Sequence, residues 1–298
     1  MGSVGRAKSS VRDLVSKLAD YDQRYADDVI KASEKFHREF PDFPEIKGIW
    51  VKDIDGVAAI NGLGILSLNP KYLSDYEAEK RKLEEQDYWL AGNPNYADAV
   101  ITHELGHSFD VAFSSFVSSR APELSTQEVV KDDFSAQFYS DVLGKPVNIG
   151  DTVSTPTADS SAVMFKLDGQ SYTYKDLIST VNGRLSDIIV PKAIENIQNN
   201  WRVLGFSHRP TEKELVSYLS GYSNWSRTNQ PKNYHAEVFA ESYANHSSLK
   251  SNASVLSQEV MRLANQAYSQ VSSQPKNSID EYYRKIASAM SKKMGLTT

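Results

Sequence analysis

The tightest constraint in this sequence is the run from Asn95 to Phe116, NYADAVITHELGHSFDVAFSSF, which sets two histidines and a glutamate at H-E-x-x-H spacing. Asn95, answered three positions on by Asp98, writes a capping box, so a helix is expected to begin there. Ile101, Leu105, Phe109, Ala112 and Phe116 recur at steps of three and four, an apolar stripe that faces a core. His103 and His107 then stand one above the other on a neighbouring face, where both imidazoles can reach one ion at roughly 2.0–2.1 Å. Glu104 is set beside that ion, placed to take a proton from water as a general base. Asp110, near the next turn, either supports a ligand from behind or is an ordinary solvated aspartate. The competing interpretation of the whole run is the polar face of a core helix.

Composition narrows what such a helix can belong to. The chain has 298 residues, enough for one large domain or two small ones. A net charge of −5 and no basic run interleaved with aromatics exclude a general nucleic-acid binder. Without cysteine there are no disulfides, thiolate nucleophiles or thiolate zinc sites, so zinc here must be held by histidine and carboxylate. No apolar run suits a bilayer span and no leader pattern opens the sequence, so no membrane span is expected and the compartment stays open.

Taken in order, residues 9 to 40 keep helical spacing through Leu14, Leu18, Tyr21, Tyr25, Val29, Ala32 and Phe36, and Pro41 ends the pattern. Residues 46 to 70 change to short apolar runs broken at Asp55-Gly56 and Asn61-Gly62, giving two or three strands. The last of them, Gly64, Ile65, Leu66, Ser67 and Leu68, is either an ordinary strand or a sheet edge that an extended peptide can join. Pro70 to Gln86 is a charged, solvated helix broken at Asn93-Pro94. Further on, Thr126 to Leu143 is expected as helix, Asn148 to Ser161 as loop, and Ala162 to Tyr174 as a hairpin turning at Asp168-Gly169. Helical texture resumes over Tyr174 to Asn200, interrupted at Pro191, and Thr211 with Glu214 caps a short helix to Leu219. Val255 to Met294 is two helices divided at Gln274-Pro275.

A second stretch, Asn233 to His246, NYHAEVFAESYANH, places Glu237 and Glu241 one helical turn apart. Two carboxylates on one face repel unless something positive stands before them. One would complete a catalytic site of two imidazoles, carboxylate and water, and the other would hold a ligand histidine by its free ring nitrogen. The plainer alternative is a solvated acidic face.

HELGH followed far downstream by Glu237-Val-Phe-Ala-Glu241 resembles the gluzincin-type metallopeptidases, closest to the lethal factor and Pro-Pro endopeptidase group and to zincin-like domains of phage and mobile-element proteins. The resemblance implies a mainly helical α+β zincin with a small mixed sheet ahead of the active-site helix. It implies a zinc endopeptidase in which His103, His107 and Glu237 hold the metal, Glu104 is the general base, and Glu241 and Asp110 stand behind the ligands. It also likens Leu66 and Leu68 to the strand these enzymes present to a protein or peptide substrate. The family's tyrosine shortly before the third ligand is replaced by Gln230, leaving Tyr234, His235 or Tyr222 to stabilise the oxyanion. The long separation of the two motifs implies one zincin-like domain carrying an inserted, mainly helical subdomain over 119–230, between an N-terminal segment of residues 1–118 and a C-terminal segment of residues 231–298. The alternative is a non-catalytic zincin-fold assembly module, as in a virion or a secreted effector.

Overall fold

The computed structural model describes residues 15, 18–43, 46, 48–54, 56, 58–60, 64–73, 75–78, 81 and 96–293. In chain order they form α1 Gln23–Glu39, β1 Gly48–Val51, β2 Ala58–Ile60, β3 Ile65–Leu68, α2 Tyr96–Ser118, β4 Glu123–Val129, α3 Asp133–Leu143, β5 Thr152–Ala158, β6 Val163–Leu167, β7 Gln170–Thr173, α4 Tyr174–Ile178, α5 Ser186–Asn199, α6 Glu212–Ser217, α7 Gly221–Asn229, α8 Tyr234–Leu249, α9 Val255–Ser272 and α10 Ile279–Lys293. The class is α+β. Contacts divide the chain into two compact units, residues 1–114 with 177–266 and residues 115–176 with 267–298. The stretch expected as one insertion, 119–230, is thus shared between them, because α5 packs on α8 in the first unit, and α5 runs through Pro191 without the expected interruption. Among the described residues, no helix is long and apolar enough to cross a membrane.

The first unit carries both motifs. One helix over 9–40 does not form. Leu18 and Ala19 are helical, the chain turns at Asp20 and Tyr21, and Asp22 restarts the helix by accepting a hydrogen bond from the Arg24 N–H at 2.9 Å. Aspartate bonds its own local backbone readily enough to interrupt a helical period and cap the next one. α1 then buries Tyr25, Val29, Ala32 and Phe36, as its spacing predicts.

The sheet has the order β1-β3-β2, with β1 parallel and β2 antiparallel to β3. The sheet-edge expectation for Gly64, Ile65, Leu66, Ser67 and Leu68 is therefore corrected: β3 is the central strand, paired on both sides. Leu66 is 0% and Leu68 4% exposed, and a strand this buried needs both rows of backbone groups paired. Of the turn residues, Gly56 is described, at φ 99°, while Asp55, Asn61 and Gly62 lie outside the described residues. Asn69 caps a short turn over Pro70–Tyr72. The end of the charged helix expected to Gln86, from residue 82 on, and the Asn95 cap also lie outside the described residues.

α2 is the core helix of its unit. From Ala99 to Asp110 every residue except His107 is buried, so the helix is enclosed and not merely striped. Phe113, at 0% exposure, fills the core where Ala112 is expected from the spacing. Phe109 stacks on Phe43 at 4.4 Å and on Phe239 of α8 at 5.7 Å, with Phe40 at 4.6 Å. Such ring pairs contribute about 0.5–1.5 kcal/mol each beyond their buried area. They clamp α2 to α8 while the polar residues of both helices meet.

In the second unit, β4 pairs antiparallel with β5, and β6 with β7. Thr126 to Val129, expected as helix, belongs to β4, and the expected loop over Asn148 to Ser161 contains β5. Valine and threonine favour pleated pairing, and Val153 and Thr155 alternate inward, so a Ser/Thr-rich stretch becomes a strand once β4 faces it. The β6–β7 hairpin turns at Asp168 (φ 48°) and Gly169 (φ 86°), the two positive angles a type I′ turn requires. α9 and α10 are separate helices on either side of Pro275, as predicted.

Candidate metal centre

Gly106 and Ala240 bring the two motifs together. A Cβ on Gly106 would stand 2.8 Å from the Ala240 Cα, so the α2 and α8 backbones approach too closely there for any larger residue. Glycine inside a helix costs about 1 kcal/mol relative to alanine. Here that cost permits the close approach. Gly106 follows His103 by three residues and Ala240 follows Glu237 by three, so the tight contact aligns the faces that carry them.

Those faces place three ligand atoms in a triangle. His103 Nε2 lies 3.0 Å from His107 Nε2, and each lies 3.4 Å from Glu237 Oε2. Around one tetrahedral ion with bonds of roughly 2.0–2.1 Å, neighbouring donors are about 3.3 Å apart. His103, His107 and Glu237 can therefore hold a metal ion. The His103 and Glu237 side chains are 4% and 11% exposed, against 21% for His107, so the group meets solvent on the His107 side.

Behind the triangle, Glu241 is fully buried, with Oε1 3.2 Å from His103 Nδ1. A carboxylate there selects the tautomer that leaves Nε2 as the donor to an ion. Glu237 Oε2 and both Glu241 oxygens are buried without an aligned hydrogen-bond donor, a costly state for charge that a bound cation relieves. Burial pushes the His103 pKa down, but Glu237 and Glu241 outweigh it and hold it well above the usual histidine value. Burial also pushes Glu237 up, yet His103 and His107 keep it well below the ordinary carboxylate range. Without metal, the two carboxylates thus favour a proton on the His103 ring, the position a divalent ion would take over.

Glu104 stands outside the ligand triangle. It is 8% exposed, and its Oε2 accepts a hydrogen bond from the Ile60 N–H of β2 at 3.0 Å. Asp110 is not a solvated aspartate: at 0% exposure it accepts from the Ser186 N–H and Oγ, both at 2.7 Å, and so ties the start of α5 to α2. Burial raises its pKa to about 6 against the lowering by Ser186.

The expected oxyanion donors are placed differently. The Tyr234 ring is buried beside Glu212 and Arg227, and burial, then Glu212, raises its pKa. His235 Nδ1 lies 2.9 Å from Asp187 Oδ1. Among the described residues, neither bonds to His103, His107 or Glu237, and His235, two positions before Glu237, lies on the far side of the helix. Tyr222 of α7 does reach the site, its ring 6.1 Å from that of His103. His246 is half-buried, and burial lowers its pKa. Exposed His208 pairs with Glu214 at the α6 cap.

Sequence reasoning gives no role to Gly106, Ala240 or Trp225. The matching three-residue offsets of the small residues, and the Tyr222-x-x-Trp225 spacing, are the signals that point to them. No protein-family model matches the chain, and neither does any curated protein or solved structure.

Proposed function

We propose that the protein is a zinc-dependent endopeptidase of the gluzincin type with a zincin-like first unit. The observation that carries this is the combination of the His103, His107 and Glu237 triangle with a Glu104 that stands outside it and accepts a hydrogen bond from strand β2. Two imidazoles and one carboxylate with an open side suit zinc, and a merely structural site has no need of Glu104. Zinc held there supplies Lewis acidity to a peptide carbonyl and to the attacking water.

The chain's own residues supply the rest. Glu104 takes the proton of that water on a carboxylate oxygen and passes it to the leaving amine. Glu241 holds the His103 ring in its donor tautomer. Tyr222 is the phenol near enough to His103 to serve the oxyanion, in place of Tyr234 and His235. An extended peptide would pair with β2 and not with β3, since β2 has a strand on one side only among the described residues and lies against Glu104.

Glu104→Ala tests this against a non-catalytic zincin-fold assembly module. The variant should keep zinc and lose about 10²–10⁴-fold in peptide hydrolysis, the share a positioned acid-base group contributes. A zinc-loaded protein whose hydrolysis is the same with and without Glu104 would favour the assembly module.

A further inference from the structure

α7 has two adjacent faces of different character. Ser223 and Ser226 are fully buried; Ser223 N–H donates to Ser220, and the Ser226 hydroxyl donates to the Ser223 carbonyl, so small polar residues seat the helix. Tyr222 and Trp225, each one position earlier and three apart, share the neighbouring face. Their rings stack with centroids 5.7 Å apart and planes 16° from parallel. Tyr222 in turn meets the His103 ring edge-on, at 6.1 Å and 68°. A continuous series of rings therefore runs from a metal ligand to Trp225, which is 40% exposed. Large aromatics usually close a core, so an indole backed by a parallel ring and left open to solvent beside a catalytic site is suited to receive a third ring.

Resting on the peptidase reading above, we infer that Trp225, backed by Tyr222, is a specificity-determining shelf that stacks an aromatic side chain of the peptide substrate. Reach sets where that residue falls. Ring-to-ring steps of 6.1 and 5.7 Å put the indole within about four residues of the bond cleaved, at roughly 3.3 Å per extended residue. An indole face also attracts lysine and arginine, so the Lys pool separates ring stacking from a cation held over the indole.

The probe is a set of blocked octapeptide pools, each with one position fixed as Phe, Leu, Lys or Ala. Wild type should cleave a Phe pool about tenfold faster in kcat/KM than the matching Ala pool, with the fixed residue within about four positions of the cut; tenfold corresponds to about 1.4 kcal/mol. Trp225→Ala should bring that ratio to near one, Trp225→Phe should retain most of it, and both should hold zinc as wild type does. Binding of the same pools to zinc-loaded Glu104→Gln protein, measured by calorimetry, should rank them alike without turnover. A Phe preference that survives Trp225→Ala, a Lys preference, or no preference in a cleaving wild type would overturn the shelf alone. A zinc-loaded wild type that cleaves no pool would instead overturn the peptidase reading, and the shelf with it.

Discussion

In the β4–β5 ribbon all seven residues of β4 are exposed, and their polar groups close on one another. Ser125 pairs with Ser154, Thr126 Oγ1 lies 2.7 Å from Thr155 Oγ1, and Tyr139 donates to Glu128. In α2 and α8 the polar groups sit at the centre, and they are treated unequally. Asp110 is buried with two donors from Ser186, whereas Glu237 Oε2 and both Glu241 oxygens are buried with none aligned. The ribbon is self-sufficient; the helix pair brings together a group that could hold a metal ion. Polar groups left unsatisfied in an interior mark where a ligand belongs, and satisfied ones mark structure.

The sharpest test of that distinction concerns the satisfied buried acid. The Asp110 pKa lies at about 6 in the folded chain, above the ordinary aspartate value of 3.8. The folded state therefore binds more protons between those values, and stability falls as pH rises from about 4 to 6, by about 3 kcal/mol at about 1.4 kcal/mol per unit. Denaturant titrations of metal-free protein should show wild type losing that much relative to Asp110→Asn across the window. A constant difference between the two would mean Asp110 is not held as buried as the structure has it.

Glu241→Gln comes next. It keeps the shape but removes the charge behind His103, and zinc affinity should fall 10–100-fold by competition titration. Gly106→Ala probes the close approach itself. The added methyl meets backbone at 2.8 Å, so overpacking of about 3 kcal/mol, less about 1 kcal/mol gained in helix propensity, should leave a net loss near 2 kcal/mol. Thermal unfolding checks this, and an unchanged or raised Tm would contradict the packing described. Smallest is Ser125→Ala in the ribbon, which should change stability by no more than about 0.5 kcal/mol and leave zinc affinity untouched.

Local chemistry made much of this legible in the sequence. The Thr211 and Glu214 capping box, the Asp168-Gly169 turn and the break at Pro275 each act within a few residues, and each forms as expected. The His103 and His107 pair and the acidic pair on α8 were likewise fixed by helical spacing. What sequence could not supply depends on distant partners. β5 is a strand because β4 faces it, β3 is central because β1 and β2 flank it, and Asp110 is buried because Ser186 arrives from α5. The ring beside His103 is that of Tyr222 for the same reason: proximity along the chain to Glu237 says little about which ring the fold brings there.

The most direct measurement is the metal content of the purified protein by inductively coupled plasma mass spectrometry, for wild type and for Glu237→Ala. One zinc per chain in wild type, lost on mild dialysis in the variant, is the predicted result. A wild type without stoichiometric metal after zinc loading, or a variant that retains it as firmly, would contradict the claim that α2 and α8 meet to enclose a single ion.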